Sequence, residues 1–303
     1  MGGPYVEETL INKSMDREDL LSESGRRFVS QLSELAQTLE ERQRPVTSWY
    51  GALPKKESGG PAPRLREGLR QLLRRLRRAG EVERINRGGD AYEPLDEVAS
   101  DDRHPWFLYW EAYWVMTHGP RLEQHHQVLD AGGTASLFSC QLASRGAGVR
   151  SVDLNERLVA AGNEIASEMG WNMSSHCMDM VDLDFEDACF DCAYSICVFE
   201  HLGAEIRQRA LREIARVLKP GGVLSITFDY RGPGVNLGGA GLDYTPENLI
   251  RTPGDVSRHF LSSDDFEVVG NPSFYDNGKS YLVWPSDRSQ QYTFGAVFLR
   301  KRS

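Results

Sequence analysis

Acidic residues and a pair of glycines occur at intervals that suit the binding of a nucleoside-like ligand. Asp130-Ala131-Gly132-Gly133 follows a short apolar run, and Asp153 comes 23 residues after Asp130. Glycines at such a turn let a ligand approach the backbone at a helix N-terminus. A carboxylate at this distance can accept hydrogen bonds from both hydroxyl groups of a ribose. Further along, Asp179 could accept a hydrogen bond from an exocyclic amine, and Glu200-His201 supply two more titratable groups.

Each of these residues follows a β-rich run, so strands must position them. Strands are predicted at Val128–Ala131, Val149–Asp153, Ser174–Cys177, Phe190–Ser195 and Val223–Phe228. Helices are predicted at Ser136–Ser144, Glu156–Met169 and about Ala204–Val217. Alternating strands and helices require crossover connections, and these favour a doubly wound, mostly parallel α/β sheet. Ligands of such sheets bind outside the carboxyl ends of the strands, where the winding reverses.

Five segments between Val128 and Phe228 occur in a characteristic order: VLDAGGTAS, VDLN, MDM, FDCAYSICVFEHL and ARVLKPGGVLSI. This series resembles the motifs of the class I (Rossmann-like) S-adenosylmethionine-dependent methyltransferases. The resemblance implies S-adenosylmethionine as the cofactor and a seven-stranded sheet whose last strand is antiparallel. Phe266–Val269 and Thr293–Arg300 then form the closing hairpin, and Lys219–Gly222 is a structural turn.

By position in these motifs, the resemblance also assigns cofactor contacts. The residues that would hold the methionine end are Asp130, Ala131, Gly132, Gly133, Ile196 and Cys197. Those that would hold the ribose and adenine are Asp153, Leu154, Asp179 and Met180.

The chain departs from the family pattern at three positions. Thr134 and Ser136 replace the second and third glycines of the usual loop, so Thr134 would have to present its hydroxyl group to the cofactor; a copy without catalytic activity is the alternative. Cys197 stands where some relatives that methylate catechol-like phenols carry an acidic metal ligand, so no metal is predicted. A dehydrogenase is the less favoured interpretation, because its GxGxxG fingerprint is missing.

Methyl transfer from a sulfonium is an in-line displacement that depends mainly on proximity. A base is needed only if the acceptor must lose a proton. The candidates are His201, which could instead cap a helix, and Asp229 and Tyr230 after the fifth strand. Trp110 and Tyr113 of an aromatic segment, with Tyr244 and the glycine-rich loop 231–241, are predicted to cover the acceptor; simple core packing is the alternative for the aromatic segment.

Residues 1–120 are predicted to form a helical extension or cap, and residues 121–303 the methyltransferase domain. One helix is expected from Ser14 or Asp16 to about Arg42, and a second, arginine-rich helix at 64–78. The second helix suggests an RNA or protein methyltransferase as an alternative function, although solvated arginines are the simpler interpretation. The N-terminal helices could also form a homodimer interface.

The net charge and the cysteine content limit the kinds of partner and the cellular location to be expected. The net charge of −9 disfavours nucleic acid and anionic membranes as general partners, and a small-molecule acceptor is therefore expected. Because no export signal is recognised, the five cysteines are expected to be reduced thiols and the protein to be cytoplasmic. Cys189 and Cys192 are interpreted as structural thiols, and His125-His126 as a surface pair.

Overall fold

The computed structural model describes residues 10–48, 53, 104–231, 248–282 and 291–303. Its strands are β1 (Lys13–Ser14), β2 (Gln127–Ala131), β3 (Gly148–Asp153), β4 (Met173–Cys177), β5 (Phe190–Ile196), β6 (Leu218–Tyr230), β7 (Phe266–Val268), β8 (Tyr281–Leu282) and β9 (Gln291–Lys301). Its α-helices are α1 (Glu23–Glu41), α2 (Trp106–His118), α3 (Leu137–Ser144), α4 (Glu156–Met169), α5 (Ala204–Val217) and α6 (Pro253–Val256). Two 3₁₀ helices, Arg17–Leu21 and Phe199–His201, and one π turn, Ser257–Leu261, complete the described elements.

The strands form one sheet in the order β1-β9-β6-β5-β2-β3-β4. Strands β2 to β6 are parallel, and β9 is antiparallel to β6. The chain winds outward from β2 through β3 to β4 and then returns to place β5 on the other side of β2. The winding therefore reverses between β2 and β5, where a doubly wound sheet binds ligands. The predicted fold class is confirmed.

The last strand, β9, is longer than the family hairpin requires. Beside β6, it pairs antiparallel with three short strands, β8, β1 and β7, at successive positions along its length. The predicted pairing of Phe266–Val269 with Thr293–Arg300 is observed as β7 and β9, and β1 and β8 raise the described total to nine strands. Short partners of this kind cover a sheet edge that would otherwise present unpaired backbone groups.

The N-terminal segment is built into this sheet. The Asn12 side chain accepts a hydrogen bond from the Phe298 backbone amide and donates to the backbone oxygens of Val269 and Asn271. Residues predicted as an extension thus contribute both a strand and part of the core. The division near residue 120 remains a prediction.

The predicted N-terminal helix is interrupted at Ser22. Asp16 caps the 3₁₀ turn Arg17–Leu21, and the Ser22 hydroxyl then accepts a hydrogen bond from the Gly25 amide to begin α1. A serine with extended backbone angles is favoured at an N-cap, which explains why one predicted helix becomes two.

Helix α2 packs against strands β5, β6 and β9 of the sheet and is apolar on nearly all sides. Trp110 stacks on Trp114 with ring centroids 5.5 Å apart, and its indole nitrogen donates to Asp19 at 2.8 Å. A helix that is apolar all round is a buried helix, as this one is.

Several predicted features lie outside the described residues: the arginine-rich stretch 64–78, the glycine-rich loop after Arg231, and Tyr244. Among the described helices, none combines the length and the apolar character that a membrane span requires.

Candidate functional site

A cavity of about 340 Å³ lies at the carboxyl ends of the parallel strands, beside the point where the winding reverses. On the strand side its lining includes Gly132, Gly133, Ser136, Asp153, Leu154, Asp179, Met180, Ile196, Cys197, Glu200, His201 and Asp229. The other lining residues include Thr47 and Ser48, Leu108 and Glu111 of α2, and Tyr292 and Phe294 of β9. The sheet and the N-terminal part of the chain therefore enclose one cleft.

The loop after β2 can approach this cleft only because it carries glycines. Gly132 has a φ of +86°, and a Cβ there would lie 2.6 Å from the Val198 side chain. A Cβ on Gly133 would collide with the Asp130 carboxylate. Both glycines keep the backbone bare where a ligand would meet it.

Ser136, at the third glycine position, caps α3 by accepting a hydrogen bond from the Ser139 amide. Thr134 does not line the cleft: it is 2% exposed, and its methyl group lies near Gly162 of α4. The expectation that the Thr134 hydroxyl faces a cofactor is therefore corrected. The serine is useful here because it begins the helix whose N-terminus opens on the cleft.

Asp130 also lies outside the lining of the cleft. The side chain is fully buried beneath the glycine loop, where the Ser139 hydroxyl donates to it, and burial raises its pKa to about 7. Neither Asp130 nor Ala131 lines the cleft. Asp130 thus lies beneath the loop, and the assignment of Asp130 and Ala131 to the methionine end of the cofactor remains a prediction.

The residues assigned to the ribose and adenine do lie together at the cleft. The Asp153 carboxylate accepts a hydrogen bond from the Asn155 amide at 2.8 Å, and partial burial raises its pKa. The Asp179 carboxylate accepts from the Val181 amide at 3.1 Å. Leu154 and Met180 complete this end of the cavity, and Leu154 is 71% exposed. An exposed leucine between two carboxylates is suited to contact an apolar ring.

The opposite end of the cavity has an acidic floor, defined by Glu111, Glu200 and Asp229 around the thiol of Cys197. Cys197 has a φ of +51°, and its thiol donates to Glu111 and lies 3.9 Å from Asp229 Oδ1. Burial raises the pKa of Glu111 to about 8 and of Glu200 to about 7, and it raises the pKa of Asp229 as well. The donor atoms of Cys197, Glu200 and Asp229 lie within 4.8 Å of one another.

Glu111 was missed by the sequence reasoning, although a signal was present. It is the one charged residue in Trp106–His118 apart from the terminal histidine, and it is only 2% exposed. A buried carboxylate in an apolar helix is unusual enough to indicate a site.

Of the predicted proton acceptors, His201 and Asp229 line the cleft and Tyr230 does not. His201 Nε2 lies 3.8 Å from Glu200 Oε1. Successive side chains of a strand point to opposite faces. Tyr230 consequently lies in the core on the other face, where its hydroxyl donates to Asp276 at 3.0 Å, and its prediction as a catalytic residue is corrected.

The prediction that Trp110 and Tyr113 cover the acceptor is corrected for a similar reason. Trp110 is completely buried, and the Tyr113 hydroxyl lies 2.9 Å from the Ser24 hydroxyl on α1. Neither lines the cleft, whereas Leu108 and Glu111 of the same helix do. The side of helix α2 that faces the cleft is thus the one that carries Leu108 and Glu111, and not the predicted one that carries Trp110 and Tyr113.

Comparison with known proteins agrees with this geometry. Residues 129–226 match the model of the family described as "Methyltransferase domain". This segment of the chain is therefore a methyltransferase domain. The family and the cofactor class predicted from the motif series, S-adenosylmethionine, are confirmed for this domain.

Curated relatives align with this same part of the chain. A ubiquinone biosynthesis O-methyltransferase of Coxiella burnetii is 33% identical over 97 residues, which cover 32% of this chain and 41% of the relative. A ubiquinone/menaquinone biosynthesis C-methyltransferase, UbiE, of Proteus mirabilis is 33% identical over 140 residues, covering 45% and 53%. The chain spans roughly two fifths to one half of these relatives' lengths.

The fold is shared with a crystal structure of the [4+2]-cyclase SpnF, with a TM-score of 0.51 and 20% sequence identity. The superposition covers 70% of this chain and 86% of that one. Because the structure is named as a cyclase, the likeness supports the fold alone, and function must be argued from the site.

Proposed function

We propose that this protein transfers the methyl group of S-adenosylmethionine to a small-molecule acceptor bound in the enclosed cleft. The observation that carries the proposal is the cleft itself. The glycine loop, Asp153 and Asp179 lie at one end, and several titratable side chains lie at the other. Relatives named as quinone-biosynthesis methyltransferases also support a small acceptor.

The residues of the cleft fit the cofactor. Gly132 and Gly133 line the cleft with backbone alone, and the amides at the N-terminus of α3 suit the methionine carboxylate. Asp153 would bind the ribose hydroxyls, and Asp179 the adenine amine. When bound, S-adenosylmethionine supplies an electrophilic methyl group on a positively charged sulfur.

The protein's own contribution is positioning and exclusion of water. Leu108, Phe138 and Phe294 give the chamber apolar walls, and Thr47 and Ser48 close it from the N-terminal side. Holding two reactants in the correct orientation supplies much of the acceleration of a displacement reaction. His201, 26% exposed at the cleft, can accept a proton from an acceptor that must lose one.

The proposal is tested by titration calorimetry with S-adenosylhomocysteine, together with a labelled-methyl assay on fractionated metabolites. Asp153→Asn should weaken binding about tenfold or more, because hydrogen bonds to a charged group are lost. Asp184→Asn, at an exposed aspartate a few residues after β4, is the matched control and should bind as the unmodified protein does. Equal affinity in the Asp153 variant, or binding of a nicotinamide dinucleotide instead, would overturn the proposal.

A further inference from the structure

The acidic floor is assembled from three parts of the chain: Glu111 from α2, Glu200 from the turn after β5, and Asp229 from the end of β6. Only Glu200 falls within residues 129–226, the segment that matches the methyltransferase family. Glu111 and Asp229 are therefore contributed by regions outside that segment. Such regions are where a methyltransferase would carry recognition of its own acceptor rather than of the shared cofactor.

The Glu200 side chain is only 8% exposed, and neither of its carboxylate oxygens has a hydrogen-bond partner among the described residues. Arg207 lies behind it, but its guanidinium donates to the backbone oxygens of Phe199, Leu202 and Asn248. His201 Nε2, 3.8 Å from Oε1, is too far away for a hydrogen bond, so a ligand that brings a donor would satisfy this buried carboxylate.

The carboxyl groups of the acidic floor and the aromatic side chains near them indicate which class of ligand could bind there. Three carboxyl groups converge in a cleft whose other lining residues include the aromatic side chains of Phe138, Tyr292 and Phe294, and a cation bound beside them would favour their ionised form. An ammonium group offers up to three N–H donors and a positive charge, and aromatic faces attract such cations. A neutral acceptor would bring no positive charge to this group of carboxyl side chains.

A hard divalent cation fits less well. Calcium and magnesium require six or more oxygen ligands, usually with several waters. The floor offers three carboxylates, one of which already accepts the Cys197 thiol, and apolar side chains surround them.

We propose that the methyl acceptor is a small primary or secondary amine, bound as its ammonium form by the acidic floor. This inference rests on the proposed function. In the transfer, a floor carboxylate takes one N–H proton, and the nitrogen lone pair forms the new C–N bond to the methyl carbon. The C–S bond breaks and its electron pair remains on sulfur, so the products are a methylated ammonium and a neutral thioether.

The experiment uses methylammonium chloride as the probe, with the full chain saturated by S-adenosylhomocysteine. Methylammonium at about ten times its dissociation constant should raise the melting temperature by about 3 °C relative to sodium chloride of equal ionic strength. Glu200→Gln should abolish that rise and leave the affinity for S-adenosylhomocysteine within about twofold. Asp229→Asn serves the same purpose if the first variant does not fold, and Glu205→Gln, at an exposed residue of α5, should retain the full rise.

Three outcomes overturn the inference while leaving the proposed function intact. They are no rise with methylammonium, a rise with phenol or magnesium chloride instead, and a loss of S-adenosylhomocysteine affinity in Glu200→Gln as large as the loss of the methylammonium effect. The last would mean that the floor binds the cofactor's own ammonium group. If S-adenosylhomocysteine does not bind the unmodified protein at all, the proposed function itself fails.

Discussion

Replacing Glu111 by Gln should change how the stability of the ligand-free protein depends on pH. The stability of the variant relative to the unmodified protein should be higher at alkaline pH than at acidic pH. Burial beside Glu200 and Asp229 raises the pKa of Glu111 from its ordinary value of 4.5 to about 8. Between these two values the folded protein keeps a proton that the unfolded chain has released. Rising pH therefore favours the unfolded chain, and the stability that Glu111 contributes at low pH is lost as the pH passes through 8.

The size of the effect follows from that interval. One pH unit of difference between the folded and unfolded pKa corresponds to about 1.4 kcal/mol. From pH 5.5 to pH 8.5, Glu111 should thus lower the free energy of unfolding by about 3 kcal/mol. Glutamine has nearly the same shape and can still accept the Cys197 hydrogen bond, but it does not titrate, so the variant should lack this part of the decrease.

Urea unfolding at both pH values, analysed by linear extrapolation, measures the difference. Glu40→Gln, at an exposed residue of α1, is the control and should follow the unmodified protein. Cys197, Glu200 and Asp229 face Glu111, and Arg207 lies behind Glu200, so the remaining pH dependence belongs to those groups. Parallel curves for the Glu111 variant and the unmodified protein would refute the reasoning that burial keeps this carboxyl group protonated.

Three further predictions follow from the corrected positions. Gly133→Ala should reduce the affinity for S-adenosylhomocysteine at least about tenfold in calorimetry, because its Cβ collides with Asp130 and displaces the loop; unchanged affinity would contradict the close approach. Trp110→Ala should lower the free energy of unfolding by about 3–5 kcal/mol in urea titrations, as a core truncation does, and a change confined to the acceptor's KM would restore the lid interpretation. Tyr230→Phe should cost about 1 kcal/mol of stability through the lost bond to Asp276 and leave turnover unchanged, whereas a large fall in kcat would return Tyr230 to the site.

The sequence was sufficient to predict the central α/β unit. The bounds predicted for Glu156–Met169 and Ala204–Val217 are those observed, because both helices carry an apolar stripe. The first is also capped by the Asn155 side chain and ends at Gly170. The order of the motifs also placed Asp153 and Asp179 at neighbouring strand ends, since parallel strands bring their carboxyl ends to one edge.

The predictions fail where the outcome depends on the direction of a side chain or on pairing between distant parts of the chain. Tyr230 is a strand residue whose face is fixed by packing, and motif position alone does not specify which face a ligand meets. The pairing of β1 with β9 joins residues about 280 positions apart, Lys13 with Ala296 and Ser14 with Gly295, and no local pattern in Lys13-Ser14 indicates it. Glu111 reaches the cleft only because α2 is docked under the sheet by Trp110 and Trp114, which is a tertiary effect.

The most direct test of the proposed cofactor site is a crystal structure of the protein grown with S-adenosylhomocysteine. The proposed function predicts the nucleoside between Asp153 and Asp179, with the homocysteine end over Gly132 and Gly133 and pointing toward the acidic floor. A cleft filled by the protein's own side chains, or a nucleoside bound elsewhere on the chain, would contradict it.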